Sequence, residues 1–583
     1  MGATAIHQLT DHLAGLVARR CEAAGAEAPT VDSIAFTPPR SAEHGHLATN
    51  AALQLTKKLR QPPLKIAEEL AQELAAHPFV EHAEAAKPGF VNVRLSDAAF
   101  DAILSQVRTQ AECFGTTNDG NGQKVLLEYV SANPTGPMHI GHLRHAVLGE
   151  AMARTMAAGG YKVHREYYIN DGGNQIETLR KTFDARLREA LGIEPFDVEK
   201  AMEQKLYPGE YMADFARECV AEMGSDVLDK LDDDARADWI KNRCLALIKE
   251  HLGVLDVHFD HFQSERALYD SGAVEETLAE LKAKGATYEK DGALWLKTVE
   301  AENDDKDRVL VKGDGTLTYL VPDLAYHRDK FRRGYDVYVN VFGEDHKGYP
   351  PRLKAGVKLL GFDASKLEVT FLSLVHLMRT DPETGEKAPA KIGKRLGNIV
   401  TAMDLVEEVG ADAARWFLLE RSANSTVEFD LDLARENSSR NPVFKVQYGH
   451  ARICTLAERA AGEGLTASAP DAPAAAHLRT VFEQDVLMAL SRFPDIVSRT
   501  ARSREPHHIA TYLLELADVY NRYYTAGNKD ASLRTAVPDQ PEVSAARLAL
   551  SDAVRTTMAN GLRMLAMSAP DHMDRASDEE DEG

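Results

Sequence analysis

Cysteine is in short supply. Cys21, Cys113, Cys219, Cys244 and Cys454 are scattered through 583 residues with no C-x-x-C pair, a spacing that argues against a disulfide framework and against a clustered zinc site. No structural metal is therefore expected, and a reducing cytoplasm is the expected compartment. Long apolar runs are missing too: no stretch approaches the roughly 18 uninterrupted apolar residues that mark a membrane span. The start, MGATAIHQLTDHLAGLVARR, carries Asp11 and lacks the basic-then-apolar order of a secretion signal. Its Met-Gly opening has Ile6 where an acylation signal wants Ser or Thr. No repeat recurs at a fixed period. Positive charge is also scarce, with 68 Lys and Arg against 90 Asp and Glu and a net charge of −22. Taken alone, that argues against a nucleic-acid partner, because phosphate binding wants Lys and Arg. The deficit is uneven, however. Acids and bases nearly balance over residues 445–563, whereas the closing DHMDRASDEEDEG is acid-rich, the composition of a solvated tail assigned to residues 574–583.

What is present is a soluble globular composition, 44% hydrophobic and 27% charged, in a chain long enough for about three or four domains. Residues 1–112 read as a small α/β unit, closed by the turn-rich linker GTTNDGNG. From Val125 the order is strand (VLLEYV), helix (Ile140, Leu143, Val147 and Ala151 on one face), Gly159-Gly160 stop, strand (VHREYYI). Such a β-α-β unit implies a parallel sheet with a ligand crevice at the carboxyl ends of its strands, and a Rossmann-like domain is placed at 123–375. Helical, charge-rich sequence at 177–251 reads as an insertion. Strand signals resume at ALWLKT (293), DRVLVK (307), VYVNVF (337) and VTFLSLV (369), and after Ala402 the pattern is almost wholly helical.

Two constellations carry chemistry. In NPTGPMHIGHLRHAVLGE (133–150), His139 and His142 fall at i and i+3 where a strand turns into a helix, with Gly141 between them. Orphan backbone N–H groups and the positive end of the helix dipole favour an anion there, and imidazoles could donate to phosphate oxygens as charge builds. The second is KIGKRLGN (391–398), a glycine-bearing loop with Lys391 and Lys394 that could clamp a triphosphate and release it. EHGHLATN, which lacks the H-x-G-H spacing, reads as structural.

Together HIGH and KIGK resemble the two hallmark sequences of class I aminoacyl-tRNA synthetases. The surrounding text resembles the arginyl-tRNA synthetase family nearly residue for residue: EYVSANPTGPMHIGHLRHAVLGEAMAR, YYINDGGNQI, YLVPDLAYHRDK, GEDHKGYPPRLKA, NPVFKVQYGHARIC and NGLRMLAMSAPDHM, with HLATNAALQL and KPGFVNVRL in the N-terminal unit. The family more often has Met and Ser in the second and third places of the lysine loop. Here Ile392 keeps the apolar role and Gly393 lacks the hydroxyl.

The resemblance implies a multidomain α/β protein: a small N-terminal α/β domain touching the tRNA corner, a Rossmann-like parallel-sheet catalytic domain, a lysine-loop and stem-contact region at 376–440, and an all-α C-terminal anticodon-binding bundle at 441–573. It implies ATP-dependent formation of arginyl-adenylate with release of pyrophosphate, then transfer of arginine to tRNA(Arg), with activation itself waiting for tRNA. By resemblance His139, His142, Lys391 and Lys394 are catalytic, and Gly141 and Gly343 join them around ATP, whose Mg2+ is held mostly by phosphates and water. Glu265 and Asp323 are assigned to the guanidinium, Tyr319 to its plane, and Asn133, Ser131 and His346 to the rest of L-arginine, with Glu128 a further candidate. Two carboxylates would reject lysine and citrulline by leaving acceptors unpaired, so no editing domain is required. Tyr448 and Arg452 lead the tRNA-facing candidates, ahead of Gln447, Tyr520, Arg522, Tyr523 and Tyr524. A monomer is expected. A small nucleotidylyltransferase would not need the long helical region after the lysine loop, a silent RNA-binding relative would not need the intact His and Lys pairs, and a cysteine-specific synthetase would need a zinc site.

Overall fold

The structure, a computed structural model, describes residues 4–302, 304–390 and 400–574. Lys391, Lys394 and the rest of the lysine-loop motif, like residues 575–583 of the acidic tail, lie outside the described residues.

The N-terminal unit is a three-stranded antiparallel sheet of order β1-β3-β2, with β1 Leu47–Thr49, β2 Val80–Ala86 and β3 Phe90–Leu95. Helices Ala5–Ala23, Ala51–Leu59 and Pro63–Leu74 bury their apolar faces with it. Helix Asp97–Gln110 turns toward the other end of the chain. Its Asp101 carboxylate accepts from the N–H groups of Ala474 and Ala475 at 2.7 and 2.8 Å, and its Arg108 donates to the carbonyls of Ser468 and Ala469. The GTTNDGNG linker is a packed connector: Thr117, Gly120 and Gly122 donate their N–H groups to the carbonyls of 158, 159 and 160.

The central sheet has five parallel strands in the order β11-β10-β4-β5-β6: β4 Lys124–Glu128, β5 Lys162–Ile169, β6 His261–Ser264, β10 Val337–Gly343 and β11 Leu367–Leu372. Buried on both faces, β4 and β10 carry the near-continuous apolar runs such strands need. Helix Ile140–Ala158 crosses from β4 to β5 and buries Leu143, Val147 and Ala151. The region between β5 and β6 is helical as expected, from Asn174–Ala190 to Asp233–Val254, and has its own core around Phe183, Phe215 and Ile240. The strand signals at 293 and 307 form β8 Ala293–Leu296 and β9 Arg308–Val311. With β7 Thr287–Lys290 these make a separate antiparallel sheet outside the parallel one. The run at 369 breaks at Ser373 into β11 and β12 Val375–Thr380. The latter pairs with β13 Lys387–Pro389 and with β14 Val427–Asp430, a strand within the stretch read as helical.

The C-terminal part is a bundle of helices Pro442–Gly462, Val481–Ser491, Phe493–Ser503, His507–Lys529 and Pro541–Met564. Glu483 closes a capping box with Thr480, and its other oxygen receives the buried Arg547 guanidinium at 2.7 Å. Among the described residues no helix is long and apolar enough to cross a membrane.

Candidate active site

Helix Ile140–Ala158 follows β4 after the connection 129–139, and its N-cap is His139. His139 Nδ1 accepts the His142 N–H at 3.3 Å, while His142 Nδ1 accepts the His139 N–H at 3.4 Å. This reciprocal cap does the work of a Ser/Glu capping box, and it stacks the rings with centroids 3.6 Å apart. It also fixes the tautomer. With both Nδ1 atoms accepting, each proton sits on Nε2, so each ring presents an N–H donor. Burial lowers both pKa values, that of His142 to about 3 with help from His139 and His145, so both imidazoles are uncharged at neutral pH. Gly141 is needed for the pair: a Cβ there would stand 2.8 Å from His139 Cε1 and 3.0 Å from its Nδ1. Arg144 anchors this helix through the carbonyls of Ser373, Ser422 and Ser425. Downstream of the lysine-loop motif, Thr401 bridges to His139 and the Ala402 N–H reaches Met138 O at 2.7 Å.

The turn between strand and helix is strained. Val130 and Ser131 have φ of 66° and 43°, conformations that cost a non-glycine residue, most of all a β-branched one. Ser131 Oγ offsets that cost by accepting the Tyr168 N–H at 3.1 Å and donating to Glu128 Oε1 at 3.2 Å. Tyr211 of the helical insertion closes over the next residues and donates to Thr135 O at 2.8 Å. Asn133, Gly136, His139 and His142 line a cleft of about 1890 Å³ whose far wall is the insertion, with Tyr211 and Arg217.

Asp323 and Glu265 do not line that cleft. Asp323, in helix Leu320–Arg332, accepts from the Tyr349 hydroxyl. Burial raises its carboxyl to a pKa of about 7, and Glu128 and Glu265 push the same way. Glu265, the first residue of helix Glu265–Asp270, is also raised by burial, with Asp171 adding to the effect. Both acids act on the Tyr168 phenol, which hydrogen-bonds Glu265. Two carboxyls whose ionised forms burial disfavours stand to gain from a planar cation with many donors.

The structure places the other expected residues as follows. Tyr319 is 86% exposed, so in this arrangement it covers little, and the rings at the two acids are Tyr349 and Tyr168. Glu128 is occupied by Lys330 and Ser131 and is not free for a ligand. Gly343 ends β10 and His346 sits exposed just beyond, its ring 6.1 Å from Tyr349. In the bundle, Gln447, Tyr520 and Tyr523 are buried, with Gln447 bonded to Asp412 and Ser568. Arg452 lies over the rings of Tyr448 and Tyr524, at 4.7 and 4.8 Å. His450, Cys454 and Asp571 bring donor atoms together there, bonded to one another and to Pro570 O. Sequence reasoning missed Tyr349, Tyr168, Lys330 and Asn340. The one available signal was a lone polar residue inside an apolar strand, as in VYVNVF.

Comparison with known proteins gives three family matches: "Arginyl tRNA synthetase N terminal domain" over residues 7–95, "tRNA synthetases class I (R), catalytic domain" over 103–437 and "DALR anticodon binding domain" over 446–573. The chain is 40% identical over 548 residues to arginine–tRNA ligase 1 of Halalkalibacterium halodurans, covering 93% of this chain and 95% of that protein. It is 41% identical over 547 residues to arginine–tRNA ligase of Citrifermentans bemidjiense, again covering 93% and 95%. The crystal structure of a putative arginyl-tRNA synthetase from Campylobacter jejuni superposes with a TM-score of 0.72 at 31% identity, over 82% of this chain and 100% of that one.

Proposed function

The chain belongs to the arginyl-tRNA synthetase family, and from that premise we propose that it charges tRNA(Arg) with L-arginine through an arginyl-adenylate at the site described above. It is an arginine–tRNA ligase. The observation that supports the mechanism is the pair of neutral N–H donors at the helix start, beside which the raised carboxyls of Asp323 and Glu265 supply the acceptors.

In the first step the arginine carboxylate attacks the α-phosphorus of ATP and pyrophosphate leaves. In the second a ribose hydroxyl of the terminal adenosine attacks the adenylate carbonyl and AMP leaves. In-line displacement needs positioning and charge stabilisation, not an enzyme nucleophile. The Nε2–H groups of His139 and His142 donate to phosphate oxygens, and because the cap fixes their geometry in advance, little reorganisation is spent at the moment of reaction. Gly141 lets the histidine pair stack beside the nucleotide, and Gly343 is assigned to the nucleotide with it. Lys391 and Lys394 add positive charge as pyrophosphate departs. Mg2+ enters with ATP, held by phosphates and water and neutralising phosphate charge. N–H donors suit phosphate oxygens rather than a cation, so the histidine pair is not its ligand set. Asp323 and Glu265 take the guanidinium, and Asn133, Ser131 and His346 orient the other end of the amino acid.

The same reading gives residues 1–112 to the tRNA corner, 123–375 to catalysis, 376–440 to the lysine loop and acceptor stem, and 441–573 to the anticodon, with Tyr448 and Arg452 foremost. It takes the protein to be a cytoplasmic monomer. Aminoacylation of tRNA with each labelled amino acid, together with ATP–pyrophosphate exchange with and without tRNA, tests it. Arginine alone is expected to be charged and exchange to require tRNA. Charging of a different amino acid would refute the assignment.

A further inference from the structure

Among the buried polar residues of the central sheet, which include Glu166 in β5, two are joined through one lysine: Glu128, the last residue of β4, and Asn340 in β10. They are register partners on neighbouring strands, and both are buried. A carboxylate in that position is costly unless a charge and hydrogen bonds meet it. Lys330, 0% exposed, meets both residues: its Nζ donates to Glu128 Oε2 and, at 3.1 Å, to Asn340 Oδ1. The bonds continue in both directions. Glu128 Oε1 accepts from Ser131 Oγ at 3.2 Å, in the strained turn two residues before Asn133. Asn340 Nδ2 donates to His327 Nε2 at 2.8 Å, and His327 Nδ1 donates to the Asp323 carbonyl at 2.8 Å. Burial keeps the His327 imidazole neutral, so one nitrogen can accept while the other donates.

We infer that Lys330 is a positioning residue for the amino-acid substrate: through one buried chain of bonds it fixes the spacing between the turn of residues 131–133 and the Asp323 helix. Resting on the proposed roles of Asn133 and Asp323, this makes the buried chain a length gauge. One end sets the groups that hold the α-amino and carboxylate atoms, and the other sets the carboxylate that reads the guanidinium. The substrate class favoured is a guanidinium amino acid with arginine's number of methylenes.

Lys330→Met removes the hub at similar volume, and the double variant Lys330→Met with Glu128→Gln also removes the charge the first would strand. Measured on the full chain with tRNA, the double variant should regain most of the lost melting temperature. Its KM for arginine should stay raised by about tenfold to a hundredfold. KM for ATP should stay within about twofold of wild type, and preference for arginine over homoarginine, one methylene longer, should fall by at least about fivefold. A purely structural role predicts instead that KM for arginine recovers together with melting temperature. That result, or a parallel rise in both KM values, overturns the inference. If Lys330→Met does not fold, the neutral Asn340→Leu, which cuts the next link, carries the same test. Wild-type protein that charged no arginine would sink the functional reading, and this inference with it.

Discussion

Asp323 makes arginine use depend on pH in a direction that can be worked out. Its carboxyl has a pKa raised to about 7, first by burial and then by the charges of Glu128 and Glu265, against which the Tyr349 hydroxyl and Lys330 only partly compensate. A guanidinium wants that carboxyl ionised, so below pH 7 binding must expel a proton. The ionised fraction rises from about 9% at pH 6 to about 91% at pH 8, so KM for arginine should fall about tenfold across that interval and level off above it. The folded-state pKa lies above the usual carboxylate value, so the stability associated with this group is present at low pH and lost as pH rises toward 7. Bound arginine restores it, and arginine should therefore raise the melting temperature more at pH 8 than at pH 6. The assay is initial-rate charging at saturating ATP and tRNA, with arginine titrated at each pH. Asp323→Asn is the control: it should cost about 2–4 kcal/mol, or about 30- to 900-fold in KM, and flatten the profile. A wild-type KM constant from pH 6 to 8, or an equal slope in Asp323→Asn, would refute the reasoning.

Three further outcomes are expected. His142→Ala removes both an N–H donor and the acceptor for the His139 N–H, and should lower ATP–pyrophosphate exchange about a hundredfold to a thousandfold. Because burial lowers the His142 pKa to about 3, wild-type exchange should show no inflection from that ring above about pH 5. Gly141→Ala puts a methyl group 2.8 Å from His139 Cε1, so the ring must swing away; exchange should drop by about tenfold or more with little change in melting temperature. Arg452→Ala unstacks Tyr448 and Tyr524 and should raise KM for tRNA about tenfold while leaving KM for arginine near wild type.

Periodicity and turn chemistry made the β-α-β core legible, because Ile140, Leu143, Val147 and Ala151 repeat at helical spacing directly after an apolar strand run. The histidine pair was legible as an anion site, but not as its own helix cap, since reciprocal Nδ1 bonds depend on side-chain rotamers. β6, with the sequence HFQS, carries no apolar run and becomes a strand only because β5 lies beside it. β8 and β9 read correctly as strands, but local pattern does not say which sheet a strand joins. The residues around Asp323 were hidden for the same reason. Tyr349 and Asn340 reach the site from other segments, and Lys330, two turns along the Asp323 helix, is recognisable only once packing buries it against Glu128 and Asn340. In the bundle, aromatic-plus-arginine text could not separate Tyr520 and Tyr523, which fill the core, from Tyr448 and Tyr524, which flank Arg452.

The clasp between helix Asp97–Gln110 and the segment around Ala474 has a mechanical consequence. Asn560 tightens it from the last helix by donating to the carbonyls of Ala111 and Phe114. The first and last parts of the chain are thus buckled into one frame, with the catalytic sheet slung between them. The bundle also packs directly on the catalytic domain, helix Phe493–Ser503 against helix Ile140–Ala158, so a load placed on it divides between the sheet and the N-terminal unit, and loosening the buckle at Asp101 would throw the whole of it onto that helix pair.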